Sequence, residues 1–224
     1  MTDSYRSAGF RAPDAPPSPS KAGRPRNAVS REQFLDAAVS LFSRQGVAAT
    51  TLAHIAREVG VTSAMVHYHF ANRDQLLDEV TKERLLPFVH ALHEPLYTEV
   101  VNDPVAALHA MADCLIEQAI RLPWLAPMWL SDVGSPAGEL SQRVMPHVPI
   151  DRVNLLTAAI VAAQARGEIN PRLLPHLIFM SMVGAVLLPL ASVGTCEQVH
   201  EGADFSIEAL RNHAMAAVDN LLRP

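Results

Sequence analysis

The stretch Gly60-Val61-Thr62-Ser63-Ala64-Met65-Val66-His67-Tyr68-His69-Phe70 decides the fold of this 224-residue chain. Val59 ends one short apolar helical pattern, and Gly60 suits the left-handed backbone conformation that closes a helix at its C-terminus. Thr62 carries the kind of side-chain oxygen that caps the first backbone N–H groups of a new helix. Two helices therefore meet across about three residues, the spacing of a helix-turn-helix. In that arrangement the first helix braces the second, and exposed side chains near the start of the second enter a DNA major groove. Thr62, Ser63, Ala64 and Met65 fall at that start and His67, Tyr68 and His69 follow, while Val66 and Phe70 are predicted to pack inward. The chemistry this implies is base and phosphate contact. Thr62 and Ser63 are short hydrogen-bonding groups, and Tyr68 presents a hydroxyl on a stiff ring. The stretch holds no arginine, so bidentate pairing to guanine, the strongest base contact, is not predicted from it.

Upstream, Ser30 to Gln33 has the form of a capping box, and Phe34, Ala38, Leu41 and Phe42 recur at helical spacing to an end near Arg44 or Gln45. A second helix opens at Thr50 or Thr51 and buries Leu52, Ile55, Ala56 and Val59. No proline occurs from Asn27 through Leu86, so three compact helices are permitted there. Downstream, Asn72 is placed to cap a fourth helix, with Asp74 in its first turn and Leu76, Leu77, Val80 and Leu85 on one face.

From Ser30 to about Leu77 the chain resembles the DNA-binding domain of TetR-family transcriptional regulators. The carriers are the apolar helix through Phe42 and Gly46, Thr50-Thr51, Ile55-Ala56, Gly60-Val61-Thr62, Tyr68-His69-Phe70 and Arg73-Asp74-Gln75-Leu76-Leu77. Two positions depart from the usual pattern: His54 stands where an acidic residue commonly supports the second helix, and His67 where tyrosine is most frequent. The resemblance implies an all-α protein: an N-terminal three-helix DNA-binding domain over residues 30–75, then a helical ligand-binding and dimerisation domain over residues 76–224. It adds Thr50, Thr51 and Arg73 to the expected DNA contacts.

Charge divides along the same line. Residues 1–75 hold nine Lys/Arg against six Asp/Glu, a net +3, and residues 76–224 hold nine against seventeen, a net −8. A net charge of −5 thus conceals a DNA-facing end joined to a body that repels phosphate. Residues 1–29 contain Pro13, Pro16, Pro17, Pro19 and Pro25 without an apolar face, the composition of a disordered arm. The arm ends in Lys21-Ala22-Gly23-Arg24-Pro25-Arg26, whose Gly-Arg-Pro-Arg resembles an AT-hook core, so Arg24 and Arg26 are candidate minor-groove contacts. No signal-peptide core occurs in the first 28 residues. Together with two scattered cysteines, Cys114 and Cys196, this predicts a reducing, cytoplasmic setting.

The body is read as helices throughout. Pro87 predicts a kink in the fourth helix, Asp103 or Pro104 opens a helix to about Leu122, and a segment from Pro136 to Arg166 breaks near Pro146 and Pro149. Asn170-Pro171 is predicted to open an apolar helix to about Ser192, followed by a loop holding Gly194 and Gly202, and Ser206 or Asp204 opens the last helix. Leu177 to Gly194 is eighteen residues without a charge, but His176 and Pro189 interrupt the neighbourhood and no basic cluster flanks it, so burial between subunits is preferred to a membrane span. The resemblance places these last two helices at a homodimer interface, and Val183 is the expected interface residue.

The resemblance also implies a small-molecule effector pocket beside the kinked fourth helix. Phe88, Met111, Cys114, Trp124, Met128, Trp129 and Met180 are its predicted lining, for a mostly apolar ligand, with His90 as the polar anchor. No cofactor or metal site is predicted. His90, His93 and Glu94 lack a further ligand, and no catalytic motif appears. The expected function is a repressor released from a pseudo-palindromic operator in double-stranded DNA by its effector. The alternatives are a body that binds a protein partner and a cysteine redox sensor.

Overall fold

The computed structural model describes residues 29–98 and 103–224, and every regular element among them is helical. Arg24 and Arg26 lie outside the described residues. The head is formed by α1 (Arg31–Gln45), α2 (Leu52–Val59), α3 (Ser63–His69) and α4 (Arg73–Val80). The predicted capping box opens α1: Ser30 Oγ accepts from Gln33 N at 3.4 Å, and Gln33 Oε1 accepts from Ser30 N at 2.9 Å. The periodic residues behind it, Phe34, Ala38, Leu41 and Phe42, are buried. Thr51 caps α2 by accepting from His54 N at 3.2 Å. The helix closes at Gly60 with φ 77°, a left-handed backbone that a β-carbon disfavours. Thr62 departs from expectation: it holds the cap position of α3 with extended backbone, yet its hydroxyl makes no capping bond. Asn72 does cap α4, accepting from Gln75 N at 2.8 Å.

The boundary expected between residues 75 and 76 falls within α4, which continues through a π-helical turn at Thr81–Leu85 into α5 (Leu86–His93). The Leu86 N–H bonds to Thr81 O, one residue farther back than in an α-helix. This wider turn lies just before Pro87, which has no N–H to give, and the chain remains helical past it. The body then comprises α6 (Pro95–Thr98), α7 (Pro104–Arg121), α8 (Leu125–Met128), a second π turn at Trp129–Val133, α9 (Glu139–Val144), a 3₁₀ turn at Met145–His147, α10 (Ile150–Ala165), α11 (Pro175–Val199) and α12 (Ile207–Leu222). α7 packs against α11, α12 and α10; α8 reaches back to α1, and α9 to α4. Head and body thus share one continuous apolar core.

Two expectations about α11 need correction. Asn170 Oδ1 accepts from Arg172 N at 3.0 Å, which makes a local turn rather than a helix start, and α11 begins at Pro175. It then runs through Pro189 and Gly194 to Val199. An isolated helical glycine costs about 1 kcal/mol, too little by itself to end the helix. Val183, expected at a subunit interface, is only 2% exposed within the single chain, on the inward face with Ile178, Met182, Val186 and Leu187. The uncovered face carries Leu177, Ser181 and Leu188. By length and composition α11 is long and apolar enough to cross a membrane, but its inward face is built into the helical core.

Candidate nucleic-acid interface and body cavity

Two fully buried residues, Val66 and Phe70, fix α3 to the head. Phe70 meets Phe34 edge-on with ring centroids 6.3 Å apart, and the Arg31 guanidinium lies 5.7 Å from the Phe70 centroid. With the inward side anchored, Thr62, Ser63, Ala64, Met65, His67 and Tyr68 face solvent, Tyr68 at 85% exposure. An uncovered aromatic on a helix held by two core side chains is a rigid projecting surface, the geometry a groove-reading helix needs.

Three expected contacts are corrected. Thr50 is buried: its hydroxyl donates to Gly46 O at 2.8 Å and accepts from Gln45 Nε2 at 3.2 Å, so it bridges the α1–α2 corner and offers nothing to phosphate. His69 is half-buried, its ring 5.2 Å from Phe34 and 5.2 Å edge-on from Tyr68, where it braces Tyr68 from behind. Arg73 is consumed internally. Its Nε donates to Thr50 O at 3.0 Å, its Nη2 to Val47 O at 2.7 Å, and its two terminal nitrogens grip Glu139 at 2.5 and 2.8 Å. Thr51 stays exposed, though its hydroxyl oxygen is engaged in capping α2.

The other head arginines are committed in the same way. Arg31 pairs with Glu79 and Glu83, and Arg44 with Glu58. Arg57 is the one arginine of α1–α4 with no ion pair among the described residues, and it is exposed. It was not among the sequence candidates. The signal for it was its place on α2 across from the apolar set Leu52, Ile55 and Ala56.

The Arg73 pair links the head to the body. Hydrogen bonding to Arg73 is the largest of the effects that hold the Glu139 carboxyl below its ordinary value, and the same bond raises the guanidinium. Arg143, one turn on in α9, reaches Asp78 at 2.7 Å and Asp74 at 3.0 Å on α4. α9 itself is seated by a close approach. A β-carbon on Gly138 would stand 2.0 Å from the Asp132 carbonyl oxygen, and Asp132 Oδ1 accepts from Leu140 N at 2.7 Å. Ser141, Gln142 and Val144 of this helix border a cavity, so α9 is a wall shared between the cavity and the α4 ion pairs.

That cavity, about 650 Å³ between α5, α7, the second π turn, α9, α10 and α11, opens to solvent past the exposed Met145, Ile150, His176 and Met180. Of the predicted lining, Met111, Trp129 and Met180 border it. Phe88 is buried behind, edge-on to Trp129 at 5.5 Å, and Met128 lies in the core of α8. Trp124 is half-buried at the α7–α8 corner, and Cys114 is half-buried on α7 away from the cavity, with burial pushing its thiol pKa up and disfavouring the reactive thiolate. His90 is exposed and is not the anchor. The inward face of α5 is set by Phe88, Val89, Leu92 and His93, and position 90 falls outside that arc. His93, not His90, is the histidine of α5 that borders the cavity. The ring borders the cavity, 6% exposed, and Nδ1 lies 2.7 Å from Val89 O. Since a carbonyl only accepts, Nδ1 carries the hydrogen; burial lowers the pKa and keeps the ring neutral, so Nε2 is a bare acceptor. His90 and His93 therefore do not converge on a metal.

A short helix anchored across a left-handed glycine turn, followed by a helical body around an apolar cavity, is a helix-turn-helix head on an all-helical body. Residues 34–80 match the family described as bacterial regulatory proteins, tetR family. The chain is 41% identical over 98 residues to the HTH-type transcriptional regulator AcrR of Shigella flexneri, covering 42% of this chain and 45% of that protein. It is 28% identical over 113 residues to the HTH-type transcriptional regulator BetI of Yersinia pestis (strain Pestoides F), covering 48% and 57%. The chain thus spans about half the length of the curated relatives it matches. The fold extends over the body as well. The ketosteroid transcriptional regulator KstR2 of Mycobacterium tuberculosis superposes with TM-score 0.60 at 16% identity, over 88% of this chain and 97% of that one. FadR of Bacillus subtilis, in complex with stearoyl-CoA, gives 0.56 at 18% identity, over 87% and 100%. Residues 34–80 thus match the DNA-binding domain of the tetR family, and the body shares the fold of solved proteins that carry such a domain.

Proposed function

We propose that this protein is a cytoplasmic, homodimeric transcriptional repressor that reads a pseudo-palindromic operator with α3 and releases it when a small, mostly apolar effector fills the cavity. The observation that carries the DNA reading is the outward face of α3, where Tyr68 stands 85% exposed on a helix whose Val66 and Phe70 are fully buried. Ser63, Thr62, His67 and Tyr68 supply hydrogen bonds to bases and phosphates, and Arg57 the nearby positive charge. Because the other head arginines are already paired, the Arg24–Arg26 arm takes a large share of phosphate binding.

Release follows from the shared wall. A ligand that favours a displaced α9 strains the Arg73–Glu139 and Arg143–Asp74/Asp78 pairs, moves α4, and changes the spacing of the two α3 helices in the dimer. A differential affinity of about 3 kcal/mol for that state weakens DNA binding on the order of a hundredfold. The supporting observation for the dimer is the row of Leu177, Ser181 and Leu188 left open on α11. Binding of the full chain to randomised duplex DNA at low salt, followed by fluorescence anisotropy, tests the proposal. Saturable binding by wild type, weakened by Tyr68→Ala, supports it, and no binding at any protein concentration below about 10 μM, a range in which even non-specific DNA association registers at low salt, contradicts it.

A further inference from the structure

The cavity is apolar but not featureless. None of the described residues that border it is Lys, Arg, Asp or Glu, and its polar groups are Ser141, Gln142, Thr157, His176, His93 and the indole of Trp129. Thr157 donates to Val153 O at 3.0 Å, while the side chains of Ser141, Gln142 and His176 make no hydrogen bond among the described residues. His93 Nδ1 is spent on Val89 O, while Nε2, on the other edge of a ring only 6% exposed, meets no donor among the described residues. Trp129 Nε1 is buried and has no hydrogen-bond partner among the described residues. An unpaired buried donor costs about 1–3 kcal/mol, and native interiors seldom leave one without a ligand or water to receive it.

We propose that the cavity takes an uncharged, largely hydrocarbon molecule bearing a hydroxyl-type donor that bonds to Nε2 of His93. This rests on the effector reading and narrows it to a ligand class. A carboxylate, phosphate or quaternary ammonium held at the buried end beside His93, in place of the hydroxyl, would be desolvated with no opposite charge to meet it, a cost several times that of a neutral hydroxyl. A neutral His93 also cannot supply the missing cation. The class therefore differs from an acyl-CoA, whose phosphates require basic partners that this wall does not hold.

The test uses the full chain and four probes built on chains of similar length: 1-decanol, its isomer 1-methoxynonane, decanoate, and decyltrimethylammonium. Binding is read by tryptophan fluorescence and by calorimetry. The expected result is that 1-decanol binds about tenfold more tightly than 1-methoxynonane, because the ether has no hydrogen to donate to Nε2. Decanoate and decyltrimethylammonium bind about a hundredfold more weakly than the alcohol. His93→Leu binds alcohol and ether equally. Equal affinity of wild type for the two isomers overturns the donor assignment without any variant having to fold. Tighter binding of either charged probe overturns the neutral class, yet leaves the effector reading standing if that probe also releases DNA. If none of the four binds, the ligand class falls, and the DNA-binding reading, measured separately on duplex, is untouched.

Discussion

α3 and α11 each leave one face uncovered, with opposite chemistry. On α3 the outward residues are short hydroxyls, histidine and one tyrosine, beside a head whose arginines are largely neutralised by internal partners. On α11 they are Leu177 at 52% and Leu188 at 58% exposure, separated by Ser181. The first surface gains little from burying hydrocarbon and much from hydrogen bonds, so it suits a wet, polar groove. The second gains mainly by removing hydrocarbon from water, as a second copy of the same helix would do. The inward sides are alike: each helix is held by residues under about 3% exposure, and function is written on what remains outside.

The sharpest break of that comparison sets two substitutions on α11 against each other. Val183→Asp places a charge in the subunit core and is expected to cost more than about 4 kcal/mol, so the chain unfolds or aggregates. Leu188→Asp changes an exposed position and is expected to leave helicity and single-subunit folding intact while shifting sedimentation from dimer to monomer. Thermal melts beside sedimentation velocity decide it. A Leu188→Asp chain that remains a dimer removes α11 from the interface.

Next in size is the junction between the regions. Arg73→Met removes the guanidinium donors to Val47 O, which keeps only the Thr50 N–H, and to Thr50 O, and leaves Glu139 without its countercharge, and is expected to cost about 2–4 kcal/mol by denaturant melts. Arg73 would also then fail as a simple phosphate contact, since its loss acts on stability first. pH reports on the same pair. Glu139 has its folded pKa lowered from the ordinary 4.5, so the unfolded chain takes up the proton first. The stabilisation is therefore fully present above about 4.5 and is lost as pH falls through the lowered folded value. Glu139→Gln is expected to flatten that acid limb of a stability–pH curve.

On α3 the effect is smaller and confined to DNA. Tyr68→Ala is expected to weaken duplex binding about tenfold with an unchanged melting temperature, because the ring is outside the core. Deleting residues 1–26 is expected to lower the slope of log K against log salt by about 0.9 for each phosphate that the arm had neutralised.

Much of this was legible in the sequence, for identifiable reasons. The caps at Ser30, Thr51, Asn72, Asp103 and Ser206 are local, so residue type and spacing sufficed. The turn at Gly60 was equally local. Some local readings failed too: Thr62 makes no capping bond, Asn170 forms a turn instead of a helix start, and Thr50 is turned inward to Gln45 and Gly46. The largest failure was non-local, since nothing in the order of residues says that Arg73 meets Glu139, sixty-six positions away. The cavity shows the same limit. Met111, Trp129 and Met180 were found by type, but His90 was preferred to His93 although the apolar set Phe88, Val89 and Leu92 already put 93 on the inward arc. The share taken by α9 and α10 was missed, even though Val153, Leu156 and Ile160 carry a regular helical spacing.

The central claim is that α3 reads DNA and that paired copies read it together. Selecting duplexes from a randomised library with the full chain, sequencing them, and weighing the resulting complex by light scattering measures both at once. The expected result is an inverted repeat bound by an even number of chains, with half-sites about one helical turn or a multiple of it apart. Enrichment of no sequence, or of a single asymmetric site occupied by one chain, would contradict it.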